Sequence, residues 1–330
     1  MLEPSPSSPE RPRRRGRLLR FAAALVVLLG IAGYVVVQYV TGGSGGPGCK
    51  VVAADGKGTP YEFSPEQAVN AATIAAVGTD RGVPERAVTI ALATALQESG
   101  LRNIEHGDRD SLGLFQQRPS QGWGTEEQIM DPAYAASVFY EHLVKVPDYT
   151  ELPLTVAAQR VQRSGYPEAY AKHEPDATLL SAALTGQAAA TLTCQGRPDT
   201  AVTATGPDAV RAALVRDFGR DALQEAGDEV GATHTPAPTP SARTGSDGRT
   251  VTVPVPAATG TEPRRSTSER GWQLAHWAVA NASALHIERV SYAGRQWTAG
   301  SADSHWQQTD TAGTAGAERS TGSVRILTAQ

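Results

Sequence analysis

Two cysteines, Cys49 and Cys194, are all that the 330-residue chain contains, which excludes a scaffold built on several disulfides. Its seven histidines are scattered, and no His/Cys cluster has metal-ligand spacing. A zinc centre or a metal-handling role therefore lacks ligands, and no cofactor is expected. Net charge is only −4, so no field draws the molecule to nucleic acid. No internal repeat is present, and β-branched alternation is scarce. One apolar run, 21–40, is long enough to span a bilayer, and a single span leaves no room for a transport pathway.

That run, Phe21 to Val40, carries no charge. As a helix it would reach roughly 30 Å, one hydrocarbon core, whereas the apolar part of a cleaved export signal is about 7–15 residues. Arg11, Arg13, Arg14, Arg15, Arg17 and Arg20 precede it, and the next positive residue is Lys50. The positive-inside rule then predicts a single-pass cell-membrane protein with a cytoplasmic N-terminus and an extracytoplasmic bulk. A cleaved signal is the competing reading. Outside the cell Cys49 and Cys194 can pair, and closing so long a loop would stabilise by about 5 kcal/mol. Two free buried thiols are the alternative.

Composition divides the chain further. Residues 1–20 form a basic cytoplasmic tail, 21–40 the anchor and 41–48 a Gly-rich tether. Residues 49–195 read as helical. Ser64-Pro65-Glu66-Gln67 is a capping box with proline at the first helical position. Pro84 opens the next helix and Gly100 stops it; Asp131-Pro132 opens another. Further helices are predicted near 154–164, 167–173 and 175–186, and a long irregular loop near 101–125. Residues 196–249 carry a helix and a Pro-rich linker, with the helix at 207–225. Residues 250–330 read as a small α/β domain, with a helix at 268–285 and strands at 250–254, 287–293, 295–299 and 323–328. The predicted class is mainly α: an all-α domain behind one transmembrane helix, plus a small α/β unit.

Glu98 ends an almost wholly apolar helix, Ala91-Leu92-Ala93-Thr94-Ala95-Leu96-Gln97-Glu98-Ser99-Gly100. Apolar walls desolvate a carboxylate, and the negative end of the helix dipole pushes its pKa the same way. A carboxylic acid held neutral is what glycosidic-bond cleavage requires of its proton donor. Gly107-Asp108-Arg109-Asp110 and then Gly113-Leu114-Phe115-Gln116 follow. Taken together, Glu98-Ser99-Gly100 and Gly113–Gln116 resemble the lysozyme-like, soluble lytic transglycosylase superfamily, and Gly107-Asp108-Arg109 is similar to its goose-type branch. The resemblance covers about 60–185. Phe115 stands where the family usually has Met.

The resemblance implies an all-α fold and cleavage of the β-1,4 bond between N-acetylmuramic acid and N-acetylglucosamine in peptidoglycan. It gives Glu98 the acid role, then the base role. Asp108 is the second candidate catalytic residue, positioning a water, and Asp110 competes with it. Both also fit an ordinary turn in which Asp caps backbone amides. Ser99, Gly113, Leu114, Phe115 and Gln116 would shape the cleft. Trp123 would stack on a sugar or cover its own loop, and Arg118 reads better as solvated than as a contact to a substrate carboxylate. The family's third motif, Ala-Tyr-Asn-Ala-Gly, has no close counterpart: Ala157 to Gly165 departs from it, leaving Gln162 as a replacement for the Asn and Tyr170 as another cleft residue.

Toward the C-terminus, Trp272 to Ala282 and Val290 to Trp297 resemble a cell-wall-associated, M15-peptidase-like domain of actinobacterial proteins. Its zinc-binding Asp-His-Val-His-type strand is replaced by Gly322-Ser323-Val324-Arg325-Ile326-Leu327. The resemblance then implies a wall-binding or spacer module. An unrelated α/β unit with Trp272, Trp277 and Trp297 as core fits the same residues. The expected protein is a membrane-anchored lytic transglycosylase or muramidase whose partners are glycan strands and, through 21–40, the membrane; no protein partner is indicated. A non-catalytic wall-binding scaffold that keeps the cleft is the alternative.

Overall fold

The computed structural model describes residues 48–166, 168–195, 206–219, 243–244, 248–255, 265–300, 305–309 and 321–329. Helix α1 (Pro65–Asp80) starts at Ser64, whose hydroxyl accepts from the Gln67 amide while the Gln67 side chain accepts from the Ser64 amide. Proline at its first position has no amide to leave unpaired. Helix α2 (Glu85–Ser99) starts after Pro84 and ends at Gly100, which takes the left-handed conformation at φ 63°. Between Ala87 and Leu96 every α2 residue is buried, so the helix is apolar all round and runs through the centre of the core. Around it pack α1, α4 (Pro132–Leu143), α5 (Leu154–Gln162) and α6 (Glu174–Leu184). A short α3 (Glu126–Ile129) leads into α4, where Asp131 caps the amides of Ala133 and Tyr134.

Two antiparallel sheets complete the molecule. The first joins β1 (Cys49–Val51), β2 (Tyr61–Phe63) and β3 (Leu192–Cys194) in the order β2-β1-β3. Cys49 lies opposite Cys194 across the β1–β3 pair, and the two are disulfide-bonded. After α7 (Pro207–Phe218) comes β4 (Arg243–Thr244), then β5 (Thr250–Pro254), α8 (Thr267–Ala280), β6 (Ile287–Tyr292), β7 (Arg295–Thr298), β8 (Gln307–Gln308) and β9 (Ser323–Thr328). Their sheet runs β4-β5-β9-β6-β7-β8. Strands β5 and β9 alternate buried with less buried positions, and β6 does so after an irregularity between Ile287 and Arg289, as a sheet with one covered face must. Trp272, Trp277 and Trp297 are all core residues.

Helix α8 packs on β6 and β9 but equally on α1, α6 and β3, so one hydrophobic core runs through both parts. Polar groups buried at that junction are paired. Asp217 of α7 accepts from Trp277 Nε1 at 2.7 Å, from Thr73 Oγ1 at 3.2 Å and from Arg216 Nε at 2.7 Å. His276 Nδ1 lies 2.7 Å from the Ala183 carbonyl, and its Nε2 accepts from the Thr191 amide at 3.3 Å. The described residues form one compact unit.

Two expectations are corrected. The architecture is mixed α and β, not mainly α: eight α-helices stand beside two antiparallel sheets among the described residues. The strands β1–β3 are three residues each, too short for an alternation signal, and their partners lie far apart in sequence. The single-pass membrane placement is corrected too: no described helix is long and apolar enough to cross a membrane. The run 21–40 lies outside the described residues, as do the 1–20 tail and the tether through residue 47.

Candidate active site

The end of α2 is held from three sides. Helix α1 supplies the first hold: Gln67 Nε2 donates to the Gly100 carbonyl at 2.7 Å and Asn70 Nδ2 to the Leu101 carbonyl at 2.8 Å. These carbonyls belong to two successive left-handed residues, since buried Leu101 sits at φ 59°. Left-handed backbone is unfavourable for leucine and persists where neighbours fix it. The second hold is Ser99, whose hydroxyl donates to Leu114 O at 2.8 Å and so ties the Gly113–Gln116 turn to the helix.

That turn is closed by paired amides and carbonyls of Leu112 and Gln117, at 2.9 and 3.0 Å. Gly113 sits at φ 72°, and a Cβ there would come 2.7 Å from the Ile129 carbonyl, so glycine is required twice over. Leu114 and Phe115 are fully buried, and Phe115 stacks on Phe139 of α4 at 4.7 Å. Their side chains are core, so they hold the turn from inside and present no side-chain surface of their own. Gln116 takes φ 48° and turns its amide back on the Gly113 carbonyl at 3.3 Å. Its Oε1 lies against Gly107, where no Cβ would fit.

The third hold comes from the chain after α5. Tyr170, buried, donates its hydroxyl to Glu98 Oε1 at 2.6 Å. It therefore positions Glu98 and offers a glycan no exposed surface. Gln162 donates to the Phe115 carbonyl at 2.7 Å and bridges α5 to the turn. Glu98 itself is half-buried. Burial raises its carboxyl pKa above the ordinary value, and the Tyr170 hydroxyl and the nearby Gln162 amide only partly oppose that. The same burial raises the Tyr170 phenol far above its usual range, so it stays a donor. Beside Glu98, Gln97 Oε1 contacts His173 Nε2 at 3.1 Å.

The two aspartates differ. Asp110 accepts from Arg118 Nε at 2.7 Å and from the Ser120 amide at 2.9 Å. The Ser120 and Arg118 donors hold its carboxyl well below the usual range. Asp110 is a loop clamp, and Arg118 is its partner, not the solvated cation expected. Asp108 is exposed on the loop, its carbonyl accepting from the Ser111 amide. Neither aspartate hydrogen-bonds Glu98. Trp123 lays its ring on His142 of α4, centroids 4.3 Å apart. Among the described residues, no group of His, Cys, Asp and Glu could hold a metal ion. Sequence reasoning missed Gln67 and Asn70: a capping-box glutamine is visible in the sequence, its second bond across 33 residues is not.

A known family model matches the chain away from this site. Residues 210–319 match the family model described as VldE, C-terminal domain, which takes in most of α7, all of α8 and the strands β4–β8. No curated protein matches the chain.

Proposed function

We propose that Glu98 is the general acid, then the general base, of an enzyme that cleaves the β-1,4 bond between N-acetylmuramic acid and N-acetylglucosamine in peptidoglycan. One observation carries this reading: a half-buried carboxyl with a raised pKa, fixed by Tyr170 at 2.6 Å beside the Gly113–Gln116 turn. A group so placed keeps its proton to higher pH than an ordinary glutamate and can deliver it to a leaving oxygen.

In this reading Glu98 protonates the glycosidic oxygen as the C1–O bond breaks, and positive charge develops at C1 of the muramyl ring. The second step depends on what attacks C1. Asp110 has both oxygens engaged, and Asp108 is exposed with no bond to Glu98. In the proposed reaction the muramyl C6 hydroxyl is the nucleophile, the route that needs one carboxyl only: it gives its proton to the Glu98 carboxylate as the new C1–O6 bond forms. The product is a 1,6-anhydro end, and no water enters. The resemblance to the lysozyme-like superfamily supports the substrate class.

Solubilisation of dye-labelled peptidoglycan by the full chain and by Glu98→Gln tests the assignment. Cleavage by the wild type and a loss of at least about 100-fold in the variant are expected, the lower end of what a positioned acid contributes. No cleavage by the wild type, or an active variant, would overturn it.

A further inference from the structure

The larger sheet has two faces, and the core uses one of them. Helix α8 packs on β6 and β9 over Val290, Val324 and Ile326, and Val251, Val253 and Trp297 are buried on the same face. Side chains alternate along a strand, so the residues between these point the other way. There the register aligns Thr252 of β5, Arg325 of β9, Ser291 of β6, Gln296 of β7 and Gln307 of β8 in one continuous row. Arg289 of β6 stands in the next row, opposite Leu327 on one side and Thr298 on the other. Arg289, Arg325 and Gln307 are exposed and none of the others is buried. Because α8 lies between the sheet and α1, α6 and β3, this face points away from the first part of the molecule.

The two arginines are diagonal neighbours, because Arg325 lies opposite Ser291, two residues after Arg289. Diagonal neighbours on adjacent strands are about 7–8 Å apart, near enough for two long side chains to meet one ligand. Neither guanidinium has a hydrogen bond or ion pair among the described residues. Glu288, at the irregularity before Arg289, is the one acidic residue in the strands β4–β9, and Arg249 Nη2 already holds it at 2.6 Å. Two like charges side by side gain nothing for the sheet. They leave a positive site bordered by neutral hydroxyls and amides. Guanidinium forks match phosphate oxygens, while Ser, Thr and Gln side chains match free hydroxyls. No aromatic side chain lies in these two rows, since Tyr292 and Trp297 turn to the covered face, so nucleic-acid bases have nothing to stack on. Leu327 alone is too little apolar surface to enter a lipid layer.

We propose that this open face binds a phosphodiester-linked polyol polymer, with successive phosphates on Arg289 and Arg325 and the hydroxyls between them on Ser291, Gln296 and their row. Charge complementarity selects the phosphates, and the absence of aromatics from these rows selects a polyol over a nucleic acid. The inference is separate from the glycan-cleaving reading: it uses no residue of the Glu98 site, and each can fail without the other.

The test is binding of the full chain to a labelled short poly(glycerol phosphate), read by fluorescence polarisation at low and high salt. Saturable binding that weakens as salt rises is expected. Arg289→Gln and Arg325→Gln are each expected to weaken it about five-fold and the double variant about twenty-fold, with Arg325→Lys recovering part. Both side chains are exposed, so these variants are expected to melt as the wild type does. Lys57→Gln, an equal charge change between β1 and β2, is expected to leave binding unchanged. No binding by the wild type, full binding by the double variant, or an equal loss in Lys57→Gln would overturn the site. An oligothymidylate with the same number of phosphates and a polyglutamate are the comparison ligands. Weaker binding of both is expected, and equal affinity for either would overturn the polyol phosphate assignment.

Discussion

Glu98 is less stable where it is than a neutral group would be. Burial raises its pKa, so the folded state binds this proton more tightly than the unfolded chain does. The stability penalty is therefore absent well below the unfolded pKa and sets in as pH rises through the folded one. Glu98→Gln is expected to abolish cleavage yet raise the melting temperature at pH 8 by about 1–2 °C, with the gain vanishing near pH 4. Thermal melts at both pH values check this, and a destabilised variant at pH 8 would argue against a strained carboxyl. Tyr170 acts in the opposite direction. Its hydroxyl favours the ionised carboxylate, so Tyr170→Phe should push the Glu98 pKa further up. The alkaline limb of the pH–rate profile is expected to move to higher pH while kcat falls. A downward shift would mean that the bond serves the neutral acid. Glu98 was legible in the sequence because a charge at the end of an apolar helix is out of place. Tyr170 and Gln162 were legible only as candidates, since nothing local says that they converge on Glu98. Arg118 was misread because its partner Asp110, eight residues away, is met only when the loop folds back.

Helix ends were the best-read elements. Ser64, Pro84, Gly100 and Asp131 each mark a boundary by chemistry that acts within one turn, and each stands where the sequence places it. The 250–254 and 323–328 strands also match, because alternation over five or six residues is a usable signal. Strands β1–β3 were missed because three residues carry no period, and their pairing depends on a disulfide partner 145 residues away. The Gly113–Gln116 turn lies between these cases. Its glycine was foreseen, but not that Leu114 and Phe115 face inward. Gly113→Ala would combine a left-handed alanine with a Cβ 2.7 Å from the Ile129 carbonyl. It is expected to cost about 2–3 kcal/mol in urea unfolding and to lower activity by releasing Ser99 from Leu114. A neutral result would show that the turn can relax without moving Glu98.

At the scale of the whole molecule, what the sequence does not show is how its parts share one core. The sequence divides off a small α/β unit at 250–330 and leaves the helix from 207 unassigned; in the structure α7 and α8 both pack on the first part, closing the core on α1, α6 and β3. Trp306 donates to the Leu192 carbonyl at 3.0 Å, and Arg265 donates to the Thr79 carbonyl at 3.0 Å, both across this junction. Residues 48–195 alone would expose the apolar faces that α8 covers and leave those carbonyls unpaired. That fragment is expected to lack a cooperative melt, and a sharp transition would contradict the shared core. His276 gives the junction a pH dependence. Burial depresses its pKa from 6.5 to about 4, because protonation would set an N–H against the Thr191 amide. Its contribution is complete above pH 6.5 and is lost as pH falls toward 4, on the order of 3 kcal/mol. Urea midpoints of wild type and His276→Gln should therefore converge as pH drops over that window. A constant gap would mean that the histidine is not neutral at pH 7.

In the proposed reaction one acid, Glu98, serves both steps and the sugar supplies its own nucleophile. Digestion of purified peptidoglycan in water enriched in oxygen-18, followed by mass spectrometry of the released muropeptides, distinguishes this route from hydrolysis. Expected are 1,6-anhydro muramyl ends without the heavy isotope, and no such product from Glu98→Gln. Reducing muramyl ends that carry oxygen-18, or no glycan cleavage at all, would contradict it.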